Sequence, residues 1–202
     1  MEMSLAAMEL RQRDGVTCGP AAAVLAGALI DPAYRARLAG PDWFRAEQRR
    51  IHRAVNWLWP RSLGTTPMGL AGAVSVHSAR YGVRYRWRPC SGLFGRRDRL
   101  ADVLRAVEAG WPVAMLVGRA IPRHWVLIVE VSGEALTCYE PSSGAVRSVG
   151  LDDVRGARLS GLGFPRPFAF VLPSSSATRI ETSGADSASP ATTPERFRAV
   201  WF

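Results

Sequence analysis

The sequence predicts an α+β fold in which an N-terminal helical half packs on an antiparallel sheet formed by the second half of the chain. Three observations predict it. Residues 21–30 read Ala-Ala-Ala-Val-Leu-Ala-Gly-Ala-Leu-Ile, apolar on nearly every side, which is the pattern of a buried helix. Apolar residues at three- and four-residue spacing follow over 41–59, the pattern of a second helix. From residue 111 onward, continuous or alternating apolar runs are separated by turn residues. The clearest pair is 123–131 and 135–140, on either side of Ser132-Gly133-Glu134, and reads as a hairpin.

Taken in order, Thr17 and Cys18 stand where the chain enters the first helix. Pro20 is tolerated there because a first-turn residue needs no backbone donor. Asp31-Pro32 stops that helix. In the second helix Trp43, Phe44, Glu47, Ile51, Val55 and Leu58 form the apolar side, and Pro60 ends it. Thr66 as N-cap and Pro67 in the first turn start a third helix that runs to about Arg80 and closes at Gly82. Residues 83–88 alternate as a strand and 90–95 form a loop. Residues 100–109 form an amphipathic helix ended by Gly110. The run 111–117 is apolar throughout and reads as a central strand buried on both faces. Residues 118–122 then deliver His124 to the hairpin. A short strand at 146–149, a helical turn at 151–154 and a last strand at 168–172 complete the domain.

With 202 residues, of which 48% are hydrophobic and 21% charged, the chain reads as one globular domain over 1–172. Residues 173–202 are a separate tail. Its Ser, Thr, Ala, Pro and Gly cannot bury enough surface to order themselves, so it reads as flexible. Residues 197–202 turn apolar again, and their docking on the same domain, on a partner or in a cleft stays open.

Three cysteines in this length do not make a disulfide framework and fit a reducing, cytoplasmic setting. Residues 1–10 carry two glutamates and no basic residue, unlike a secretory signal. No apolar run reaches the length of a membrane span. All 26 basic residues are arginine, and the formal net charge is +9. The densest stretch, Arg80 to Arg99, holds seven of them, interleaved with Tyr81, Tyr85 and Trp87. Arginine favours carboxylates and phosphates. A coding bias toward Arg with a solvated surface explains the same pattern, and nucleic acid is not expected as a partner.

The chemistry concentrates on few residues. Cys18 lies at a helix start, facing the positive end of the macrodipole, a setting that favours a thiolate. First-turn N–H groups there have no intrahelical acceptor and can hold a developing oxyanion. Gln12, six positions earlier, offers a neutral amide that supplies a second oxyanion donor if held beside the thiol. His124 opens one strand of the hairpin and Glu140 closes the other, sixteen residues on. Antiparallel pairing sets those two ends side by side, so the carboxylate can orient the imidazole.

Gln, five residues, then Cys-Gly at the head of a buried helix, followed by a His-Trp … Glu-Pro-x-x-Gly hairpin, resembles the papain-like cysteine peptidases. The likeness is greatest to the branch that contains the bacteriocin-leader, or double-glycine, peptidases. It covers about residues 10 to 145. In that family an Asp or Asn usually stands where this chain has Glu140. The resemblance implies a papain-like fold, with the Cys helix in an N-terminal subdomain and the His and acid on the sheet. It also implies a helix from Thr66 packed beneath the Cys helix, walling the substrate cleft. The implied activity is hydrolysis of a peptide or protein substrate, cut after small residues.

The expected roles are therefore Cys18 as nucleophile, His124 as base, Glu140 as its orienting acid and Gln12 as oxyanion donor. Thr17, Gly19 and Trp125 flank them as expected substrate-binding residues, with Trp125 excluding water. An acyl transferase or amidase on the same scaffold, or a catalytically inactive peptide-binding pseudo-peptidase, remain as alternatives. His52 and His77 read as packing or surface histidines. Cys18, Cys90 and Cys138 lack the spacing of a zinc site, so no metal and no cofactor is expected. Cys138 reads as a buried strand thiol.

Overall fold

The computed structural model describes residues 10–56, 64–90 and 99–175. Its helices are α1 (Cys18–Ile30), α2 (Pro32–Arg35), α3 (Pro41–Val55), α4 (Pro67–Ser78), α5 (Arg99–Glu108) and α6 (Leu151–Arg155). Its strands are β1 (Val83–Pro89), β2 (Val113–Gly118), β3 (Pro122–Ser132), β4 (Ala135–Glu140), β5 (Ala145–Gly150) and β6 (Arg166–Ser175). The strands make one antiparallel sheet in the order β1-β6-β2-β3-β4-β5. The chain is thus α+β.

Helices cover both faces of this sheet. Every residue of β2 is buried, and its side chains alternate between two cores. Ala114 and Leu116 join α1 and α4 on one face; Val113, Met115 and Val117 join α5 on the other. Strand β3 divides in the same way, with Trp125, Leu127 and Val129 toward α1 and Val126 and Ile128 toward α5. A continuous apolar strand sequence is what two covered faces require. Helix α1 is buried along its whole length, as its composition predicts.

Several boundaries differ from the sequence reading. Asp31 ends α1, but its carboxylate also accepts the Ala33 N–H at 3.0 Å and so caps the four-residue α2. The buried side of α3 is Phe44, Gln48 and Ile51, with Gln48 in place of Glu47. Leu58, Trp59 and Pro60 lie outside the described residues. Strand β6 starts at Arg166 and runs through Pro173, Ser174 and Ser175, which pair with Tyr85, Arg84 and Val83. The tail boundary expected at Pro173 is therefore three residues too early. A ladder needs backbone groups more than apolar side chains. Pro173 faces Tyr85, whose own N–H turns outward to Ser75 Oγ at 2.8 Å, so no ladder bond is asked of the proline. The tail from 176 on, with its docking, lies outside the described residues. Among the described residues no helix is long and apolar enough to cross a membrane.

Candidate active site

The loop before α1 is built by Asp14 and Thr17. Asp14 Oδ1 accepts the Val16 N–H at 3.2 Å. The Thr17 hydroxyl donates to Asp14 O at 3.2 Å and accepts the Asp14 N–H at 3.1 Å. Thr17 is buried. Its hydroxyl is thus engaged in this loop, which fixes where Cys18 begins the helix.

The next residue explains itself by packing. A Cβ on Gly19 would lie 2.6 Å from Thr65 Cβ and 3.2 Å from Trp125 Cδ1. Only a glycine lets the head of α1 approach Thr65 and Trp125 this closely. Trp125 is buried on β3, and its indole N–H donates to Thr65 O at 3.0 Å. Trp125 therefore ties the sheet to the segment that leads into α4, beneath the first turn of α1.

Segment 10–13 is stitched down at every residue. The Tyr139 hydroxyl donates to Leu10 O at 2.7 Å. Gln48 of α3, fully buried, donates to Arg11 O at 3.1 Å and accepts the Arg13 N–H at 2.8 Å. The Gln12 N–H donates to Pro141 O at 2.7 Å, one residue beyond Glu140. Gln12 Oε1 is shut off from solvent and has no hydrogen-bond partner among the described residues. The backbone of Gln12 is thereby fixed at the end of β4 with that oxygen unsatisfied.

The hairpin brings His124 and Glu140 together. His124 Nε2 lies 2.7 Å from Glu140 Oε1. That engages Nε2 and leaves Nδ1, and the Cys18 thiol is near enough to favour the protonated ring. Phe164 stacks on the imidazole at 5.4 Å between ring centres. Cys18 and His124 are 3% and 6% exposed, so bulk water is largely excluded from the pair.

Glu140 is held from several sides. Its carboxylate accepts the Ser142 N–H at 2.8 Å, the Ser143 N–H at 2.8 Å and the Ser143 hydroxyl at 2.7 Å, besides His124. Gly144 closes this turn at φ +71°, and a Cβ there would lie 2.9 Å from Leu10 O.

The electrostatics follow from these contacts. Burial by itself lowers the basicity of His124. The neighbouring Cys18 and the hydrogen-bonded Glu140 outweigh it and raise the ring's pKa from 6.5 to about 9. Burial by itself would raise the Glu140 carboxyl. Its bonds to His124, Ser143 and Ser142 prevail and hold it well below the usual carboxylate range. Burial pushes the Cys90 and Cys138 thiols up to about 12, so they stay protonated near neutral pH.

His77 belongs elsewhere, packed on Tyr34 at 4.1 Å with Asp31 at 3.8 Å, and burial lowers its pKa. Among the described residues no group of three or more His, Cys, Asp or Glu side chains could hold a metal ion.

Of the residues expected from the sequence, Cys18, His124 and Glu140 meet in one cluster. Gln12 is anchored through its backbone one residue beyond Glu140, and Gly19 packs against Trp125 at the head of α1. Gln48, Thr65, Ser142, Ser143 and Phe164 were not expected. Gln48 carried a signal, as a polar residue at helical spacing from Phe44 and Ile51. So did Ser142-Ser143-Gly144, a turn whose N–H groups follow directly on the acid. Phe164 carried none, because it reaches His124 from forty residues downstream.

No model of a known protein family matches this sequence, and no curated protein matches it.

Proposed function

We propose that this chain is a cysteine peptidase of the papain-like kind, acting on a peptide or protein substrate through an acyl-enzyme on Cys18. The observation that carries the reading is the His124 ring, held by the Glu140 carboxylate at 2.7 Å with the Cys18 thiol near enough to favour its protonated form. A nucleophile, a base and an orienting acid in that order are what acyl transfer through sulfur requires.

His124 takes the Cys18 proton at Nδ1, and the sulfur attacks the substrate carbonyl carbon. The carbonyl oxygen becomes an oxyanion held by the Cys18 N–H and the Gln12 side-chain amide. The tetrahedral adduct collapses, the C–N bond breaks, and the imidazolium gives its proton to the departing amine. Water then enters, gives a proton to His124 and attacks the thioester. Cys18 leaves as the thiol when His124 returns that proton. Glu140 stays ionised throughout and stabilises the imidazolium. Small residues before the cut are the preference that the family resemblance implies.

The test is labelling of the full chain with a thiol electrophile, together with cleavage of a peptide library. Cys18 is expected to label far faster than free cysteine. Cys18→Ala is expected to abolish both labelling at that site and turnover, while Cys90→Ala and Cys138→Ala leave both intact. Labelling of Cys18 no faster than free cysteine, or turnover by Cys18→Ala, overturns the reading.

A further inference from the structure

On the far face of the sheet from α1, four arginines surround one cleft of about 570 Å³. Arg86 and Arg88 stand two residues apart on β1, so their side chains leave the same face of the strand. Their partners across the ladder are Leu172 and Phe170, both members of the core beneath α5. Arg99 and Arg105 come from α5. Among the described residues a single carboxylate, Asp102, lines the cleft with them. It pairs with Arg99 at 3.3 Å and with Arg105, which holds both guanidiniums in place. Four cations against one anion leave an excess of three positive charges.

The arrangement differs from an ordinary solvated surface in two ways. Among the described residues Arg86 and Arg88 meet no carboxylate, although 17 acidic residues are available in the chain. The Nε of Arg99 is buried and has no hydrogen-bond partner among the described residues. A charged donor in that state is destabilising unless a ligand satisfies it. Arg99 is the first described residue of α5.

We propose that this cleft is a binding site for a compact ligand carrying two or more phosphate groups. Arginine forks match phosphate oxygens bidentately. A phosphate group carries about −1.5 to −2 charges near neutral pH, so two of them balance an excess of three. The cleft has the size of a small-molecule site. Among the described residues no aromatic ring lines it to stack a base, and recognition rests on the phosphates. The site lies on the opposite face of the sheet from Cys18 and does not depend on the peptidase reading.

The experiment is calorimetric titration of the full chain with inorganic pyrophosphate at fixed ionic strength, with melting curves in parallel and sulfate as control. Saturable binding at one site is expected, with a rise in Tm on the order of 5 °C at a hundredfold excess over Kd. Arg86→Glu with Arg88→Glu, and separately the exposed Arg105→Glu, should each weaken binding at least about tenfold. A matched reversal on α3, Arg49→Glu with Arg53→Glu, should change it less than about twofold. The proposal is overturned by an absence of saturable binding, by an equal response to sulfate, or by equal weakening in the α3 variant. It is also overturned if only long polyanions such as heparin bind.

Discussion

His124 and Glu140, sixteen residues apart in sequence, meet at 2.7 Å at one end of the sheet, both almost wholly out of solvent. A buried charge pair is stable only when its remaining hydrogen-bonding positions are filled. On the carboxylate they are filled by the Ser142–Ser143 turn. The pair's protonation is therefore tied both to the reaction and to folding.

In the proposed mechanism the imidazolium gives a proton to the leaving amine. Its pKa of about 9 sets where that proton is lost. The plot of kcat/KM against pH is expected to fall on its alkaline side with a midpoint near 9. A midpoint near the ordinary histidine value of 6.5 would contradict the assignment.

For folding, the two signs differ. His124 is raised in the folded state, so its contribution is complete below pH 6.5 and is lost as pH rises through about 9. Glu140 is depressed, so its contribution is complete above its unfolded value of 4.5 and is lost as pH falls below it. The pair therefore stabilises most between 4.5 and 6.5. Urea unfolding across pH should show a maximum there, flattened in the variant Glu140→Gln.

Glu140 stands where the resemblance would place a shorter Asp. Its length is used: one carboxylate spans His124 and three donors of the turn. Glu140→Asp cannot reach all four and should lower stability by about 1–2 kcal/mol. Glu140→Gln removes the charge and should cut kcat on the order of 10²-fold while shifting the alkaline midpoint below 9. An unchanged pH profile in Glu140→Gln would show that the acid does not act through the ring.

Gln12 is fixed through its backbone, so its side chain can be removed without releasing the segment. Gln12→Ala should lower kcat by about 10²- to 10³-fold with KM little altered, the signature of a donor that acts in the transition state. An equal loss in KM alone would assign Gln12 to ground-state binding.

Gly19→Ala forces a methyl group toward Thr65 Cβ at 2.6 Å, which is not the end of a flexible side chain. Overpacking of this sort costs about 1–3 kcal/mol, and urea titration reads it directly. Because the same shift moves Cys18 away from His124, kcat should fall as well.

Local signals carried most of this site. The apolar helix after Cys18, the capped start at Thr66 and the hairpin around Gly133 are each dictated by neighbouring residues, and they appear where the sequence places them. What the sequence withheld is long-range. Nothing local indicates that β6 inserts between β1 and β2. Nor does it indicate that Gln48 clamps the backbone on both sides of Gln12. The extra residues of β6 were hidden because Ser and Pro look like linker, although edge pairing tolerates them.

The place of β6 has a consequence for biosynthesis. Its ten residues are the last to enter the sheet, yet they sit between β1 and β2. Until they emerge, both neighbours present bare edges, and the nascent chain carries two adhesive ladders at once. The hairpin with His124 can form early, but the thiol's half of the molecule stays loosely joined to it. The cluster of Cys18, His124 and Glu140 is therefore completed only after the last strand of the sheet has been made.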